Sequence, residues 1–192
     1  MTQLGNGLFG VKRHEEELSV GEAELSTVRR IGTSLEEVFR VQSNLACTYE
    51  ELGRNEDALQ MRRDVYSGYL KLNGEEHHNT LVAANNYAVI LYALDDYSEV
   101  KSILLKVMPV TRRVLGDSND TTLRTRWMYA KVLYKDDDAT LDDLRESVTT
   151  LEELGRTVRR VLGGAHPLVP DIEDTLKQSR ITLRARETPS PG

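Results

Sequence analysis

Three glycines, Gly32, Gly74 and Gly116, stand 42 residues apart, and several other residue types share their register. Ala46, Ala88 and Ala130 keep the same spacing, as do Asn44 with Asn86, Thr80 with Thr122 and Leu81 with Leu123. The glycines close similar stretches: Arg29-Arg30-Ile31-Gly32, Lys71-Leu72-Asn73-Gly74 and Arg112-Arg113-Val114-Leu115-Gly116. A fourth copy, Arg159-Arg160-Val161-Leu162-Gly163, arrives five residues late. The surplus falls around Lys135 to Thr140, as a longer turn or an added helical turn. A fixed period of this length marks an array of stacked units, because one unit alone cannot bury its apolar faces.

Each unit reads as two helices. The first is clearest from Asn85 to Leu94, where apolar residues recur at three and four, as one buried helical face requires. The alanines are expected where two helices approach closely. A turn follows, Leu52-Gly53-Arg54-Asn55 in one copy and Leu94-Asp95-Asp96-Tyr97 in the next. The second helix then runs from Glu56 to Leu72 or from Ser98 to Leu115. It ends in cations, which suit the negative end of a helix dipole, and in a glycine, which accepts a left-handed C-cap. Pro109 should kink the latter helix or cost it a hydrogen bond near Leu105. The fold class is therefore all-α, an α-α superhelix of helix hairpins with about eight helices. One domain is expected over 13–187, with units near 34–74, 76–116 and 118–163 and a capping helix over 167–187. Residues 1–12 read as a flexible N-terminus or degraded half-unit, and 188–192 as a disordered tail.

Composition narrows the function classes. The chain has 192 residues and a formal net charge of −6, so general affinity for nucleic acid or anionic membrane is disfavoured. Its one cysteine, Cys47, permits neither an internal disulfide nor a cysteine zinc site. No apolar run approaches a membrane span, and the first ten residues lack the pattern of a signal peptide. A cytoplasmic location is the expectation.

Gly74-Glu75-Glu76-His77-His78-Asn79-Thr80 precedes Asn85-Asn86-Tyr87-Ala88. Leu162-Gly163-Gly164-Ala165-His166-Pro167 opens the last segment, and Ser43-Asn44-Leu45-Ala46 is a third echo. With two helices per unit, this pattern resembles the tetratricopeptide repeat, and in its 42-residue period the kinesin-light-chain subtype. The resemblance spans roughly Arg13 to Arg186. It departs at Met128, which stands where the second asparagine would be.

The resemblance implies a non-catalytic scaffold whose first helices line a concave groove. The stripes it implies include Arg40, Ser43, Asn44 and Cys47; then Val82, Asn85, Asn86 and Tyr92; then Arg124, Trp127, Met128, Lys131 and Tyr134. Asn44 and Asn86 are the leading peptide contacts, because a carboxamide both donates to and accepts from an extended backbone; each could instead tie one repeat to the next. Arg124, Trp127, Lys131 and Tyr134 suit a segment of acidic character with an aromatic or apolar anchor. Two alternatives stand beside this. One is a co-chaperone-type clamp for a C-terminal carboxylate, for which only Asn86 and Arg124 match the expected pattern of five. The other is self-association through the repeat ends. Protein or peptide partners are expected, with no nucleic acid, membrane or cofactor.

No phosphate-binding glycine loop, nucleophile elbow or metalloprotease helix is present in the sequence. His77 and His78 are adjacent but lack a third ligand at a helical offset, so no metal site is expected there. Cys47 reads as a small buried hydrophobe, His14 as a lone solvated side chain, and Asp136-Asp137-Asp138 as a solvated turn.

Overall fold

The computed structural model describes residues 2–188, with side chains from Arg13 onward. Of the expected tail over 188–192, residues 189–192 lie outside the described residues, as do the side chains of 1–12. All regular structure among the described residues is α-helical: α1 (Thr2–Ile31), α2 (Leu35–Glu51), α3 (Asn55–Asn73), α4 (His78–Ala93), α5 (Tyr97–Leu115), α6 (Asp120–Lys135), α7 (Leu141–Leu162) and α8 (Leu168–Glu187). They fall into two compact units, Met1–Leu94 and Asp95–Gly192.

In the first unit α1 packs on α2, α2 on α3 and α3 on α4. Val41, Leu45 and Ala46 of α2 are buried with Ala58 and Val65 of α3 and Leu81 and Ala88 of α4. In the second unit α5 packs on α6, α6 on α7, and α8 against both α7 and α6. Its main cluster joins Leu123 and Ala130 of α6, Leu151, Leu154 and Val158 of α7, and Leu168 and Ile172 of α8. Ala46, Ala88 and Ala130 have no exposed surface at all. A larger side chain there would push neighbouring helices apart, which accounts for the repeated small residue.

The glycine register has a backbone cause. Gly32, Gly74, Gly116 and Gly163 follow α1, α3, α5 and α7 with φ between 68° and 88°. That left-handed conformation costs a side chain about 1–2 kcal/mol and costs glycine nothing. Gly53, in the turn after α2, also has a positive φ, of 71°, as does Asp95, one period later, at 59°. The late fourth copy has a structural explanation too. The turn before α7 spans 136–140 where the turn before α5 spans 94–96, and α7 has 22 residues where α5 has 19. Two of the five extra residues therefore lengthen the turn and three lengthen the helix.

Pro109 does not end α5, which continues to Leu115. Leu105, whose carbonyl the proline cannot serve, lies on the exposed side, where water can.

Candidate functional site: the helix faces that carry the expected groove residues

In the first unit, a cleft of about 190 Å³ is lined by Arg40, Ser43 and Asn44 of α2, Tyr69 of α3, and Val82 and Asn86 of α4. Helical spacing puts Arg40, Ser43 and Asn44 on one side of α2, and Val82 and Asn86 on one side of α4. Asn44 is exposed and Asn86 half-buried, and among the described residues neither carboxamide makes a hydrogen bond. Arg40 is committed: its guanidinium donates to Glu24 at 3.0 Å and to Glu37 at 2.7 Å. Those carboxylates raise its pKa further, while Arg40 holds the Glu37 carboxyl below its ordinary range. Asn85 differs from its neighbour, being only 8% exposed and partnered within the fold. Tyr92 is half-buried on α4 outside this cleft.

Asn44 also borders a second cleft, of about 350 Å³, between α1 and α2. Its α1 wall is Arg13, Glu16, Glu17, Val20, Gly21 and Glu24, alternately three and one apart along one helical face. The sequence holds this signal as an acidic stripe with an apolar centre. It is hidden by α1's lack of a matching repeat partner.

In the second unit α6 carries the expected cation-aromatic stripe. Arg124 is exposed, but its Nε donates to Asp120 at 2.7 Å. The Trp127 ring is half-buried, and its Nε1 donates to the Thr175 hydroxyl at 3.0 Å. Lys131 Nζ lies 5.1 Å from the centroid of that ring, and burial, aided by Lys135, pushes its pKa down. Tyr134 is half-buried, with Lys135 Nζ 5.8 Å from its ring centroid. Burial raises its pKa. Met128 is buried and belongs to the core rather than the stripe's surface.

Several polar residues have structural tasks. His77 Nδ1 accepts from the Asn79 amide at 3.3 Å and caps α4. Asn119, one period on, caps α6 through the Thr121 amide at 2.9 Å. His166 Nδ1 takes the Leu168 amide at the start of α8, at 3.2 Å. His14 is not lone, since its Nδ1 lies 2.7 Å from Glu51. His14, Glu17 and Glu51 form the one group found among the described residues whose ligand atoms are close enough for a metal ion. Both glutamates are exposed, and the cluster is one imidazole beside two surface carboxylates, an arrangement common without a metal. Cys47 is exposed rather than buried, with Arg62 Nη2 donating to its sulfur at 3.1 Å. Arg62 itself is buried and donates from Nε to Glu50 at 2.8 Å.

Residues 37–108, covering α2 to α4 and part of α5, match the family model for the tetratricopeptide repeat. That stretch is tetratricopeptide repeat, and the chain as a whole has the all-α helix-hairpin fold of such repeats. Among solved structures, it is similar to a point-substituted form of the nearly identical TPR-like repeats from a candidate kinesin light chain of Podosopora anserina. That match has a TM-score of 0.75 at 18% identity, covering 92% of this chain and 81% of that one. Another structure of those repeats has a TM-score of 0.66 at 17% identity, covering 93% and 90%. BtubC (BKLC) from P. vanneervenii has a TM-score of 0.61 at 13% identity, covering 94% and 77%. At these identities the structural likeness speaks to the fold. No curated protein sequence matches. The tetratricopeptide fold suits protein–protein contact and is generally non-catalytic. No helix among the described residues is long and apolar enough to cross a membrane.

Proposed function

We propose that this chain is a non-catalytic scaffold whose first unit binds an extended segment of a partner protein along the faces of α2 and α4, and whose second unit offers the α6 stripe as a separate contact face. One observation carries the reading: Asn44 and Asn86 line a single cleft, and neither carboxamide has a hydrogen-bond partner among the described residues. Two carboxamides set one repeat apart can each pair with the backbone of an extended chain, whatever its side chains. Asn85 has its own partner and is left out of the contact set.

The acidic character expected of the ligand rests on Arg40, Arg124 and Lys131. Arg40 and Arg124 are already paired with carboxylates, which reduces their pull on a further anion. Recognition is therefore directed at the ligand's backbone. Nothing in the geometry favours the carboxylate clamp, because Met128 is buried where a cation would be needed.

Panning the full chain against a displayed library of random peptides supplies a probe. The Asn44→Ala, Asn86→Ala double variant should bind a selected peptide at least about tenfold more weakly, the worth of two hydrogen bonds of about 1 kcal/mol each. Its thermal stability should be unchanged. Undiminished affinity would overturn the reading. Amidating the peptide's C-terminus should leave binding intact, whereas a carboxylate clamp would lose it.

A further inference from the structure

We infer that the cleft between α1 and α2 receives an apolar side chain flanked by lysines or arginines. This rests on the groove reading above, because the cleft meets the Asn44–Asn86 cleft at Asn44 and one extended segment would cross both.

The cleft's chemistry has two parts. Its floor is apolar. Val41 and Leu45 lie beneath it, and Val20 stands 69% exposed on a stretch of α1 otherwise rich in charge. Gly21 leaves the floor open, since a methyl group there would stand 3.0 Å from Leu45 Cδ1. Its rim is acidic, with Glu16, Glu17 and Glu24 against one cation, Arg13. Arg13 donates to Glu17 at 3.0 Å and is thereby neutralised. Glu24 is held by Arg40, which also bonds Glu37. Glu16 has no partner among the described residues.

The wider charge distribution agrees. Residues 1–94 hold nine Lys and Arg against 14 Asp and Glu, whereas 95–192 hold 16 against 17. The first unit therefore carries five of the six net negative charges. An acidic segment would meet like charge along the α1 wall, and a simple cation would leave the floor unfilled. A lysine- or arginine-flanked leucine satisfies both parts, its apolar body buried and its cations directed at Glu16, the rim carboxylate that no cation among the described residues holds.

The test uses the full chain and short labelled peptides in fluorescence anisotropy. One peptide has a central leucine flanked by lysines, one carries glutamates in place of the lysines, and one carries alanine in place of the leucine. The lysine–leucine peptide should bind at least about tenfold more tightly than either of the others. Glu16→Lys should weaken it about fivefold, the scale of an exposed charge pair, and Glu75→Lys, outside the cleft, should not. Higher salt should weaken it as well. Four results would overturn the inference: no binding of the lysine–leucine peptide, equal or tighter binding of the glutamate peptide, indifference to leucine, or indifference to Glu16→Lys. If Asn44→Ala, Asn86→Ala leaves lysine–leucine binding intact while Glu16→Lys weakens it, the asparagine reading fails and the cleft stands. If the double variant weakens binding and Glu16→Lys does not, the cleft fails alone.

Discussion

The Phe39 ring lies against the bare Cα of Gly68: a methyl group on that glycine would stand 2.2 Å from Phe39 Cζ. The contact joins α2 to α3, and Phe39 also meets Tyr69 edge-on at 5.0 Å between centroids. Alanine is the better helix former by about 1 kcal/mol, so local propensity favours replacing Gly68. Packing opposes it more strongly. Gly68→Ala should destabilise the chain by about 1–3 kcal/mol in urea unfolding, as overpacking does. Adding Phe39→Leu should recover part of the loss, because the smaller side chain makes room.

The histidines before α4 and α8 serve as caps. His77→Ala should therefore cost about 1 kcal/mol of stability, while His77→Asn should cost little, since Asn119 performs the same task for α6. Thermal melts of the two variants would check this. A metal role for His77 would make the asparagine variant as damaging as the alanine one whenever zinc is present.

Thr140 and Asp143 form a reciprocal cap at the start of α7, with the Thr140 hydroxyl donating to Asp143 at 2.7 Å and accepting the Asp143 amide at 3.1 Å. The Thr140 hydrogen bonds hold the Asp143 carboxyl below its ordinary value, and Lys101 adds to the shift. A depressed carboxylate contributes stability above its unfolded pKa and loses it as pH falls through the folded one. Thr140→Ala should cost about 1 kcal/mol at neutral pH. The gap between variant and parent should narrow on acidification below the ordinary carboxylate range. Urea unfolding at neutral and strongly acidic pH would measure both.

Trp127 is the chain's only tryptophan, so its environment can be read directly. Thr175→Val keeps the volume beside the ring but removes the acceptor of its Nε1 proton. Stability should fall by about 1 kcal/mol, and the fluorescence emission should shift, with no change in helix content. If the α6 stripe contacts a ligand, adding a bound peptide to the parent chain should also alter that emission. A spectrum that does not move would remove Trp127 from the contact set.

The fold was legible in the sequence because its causes are local and repeated. Left-handed glycines, fully buried alanines and cationic helix ends recur at one spacing, and each follows from backbone geometry or helix packing within a hairpin. The site was legible only in part. Asn44 and Asn86 could be placed on their helix faces from spacing, and they do line one cleft. Neighbouring Asn85, one residue away, turned inward, because a step of about 100° along a helix separates a cleft-lining face from a buried one.

The 42-residue register by itself determined the helix-hairpin units, their caps and the faces that could carry a ligand. Only the tertiary structure decided which of those side chains were still free. Arg40 is held by Glu24 from α1, and Trp127 by Thr175 from α8, partners 16 and 48 residues away that no local spacing announces. The acidic cleft beside Asn44 arises in the same way, from α1 meeting α2. Periodicity reports which face a residue occupies. Whether its charge or hydrogen bond is already satisfied depends on what another helix brings to it.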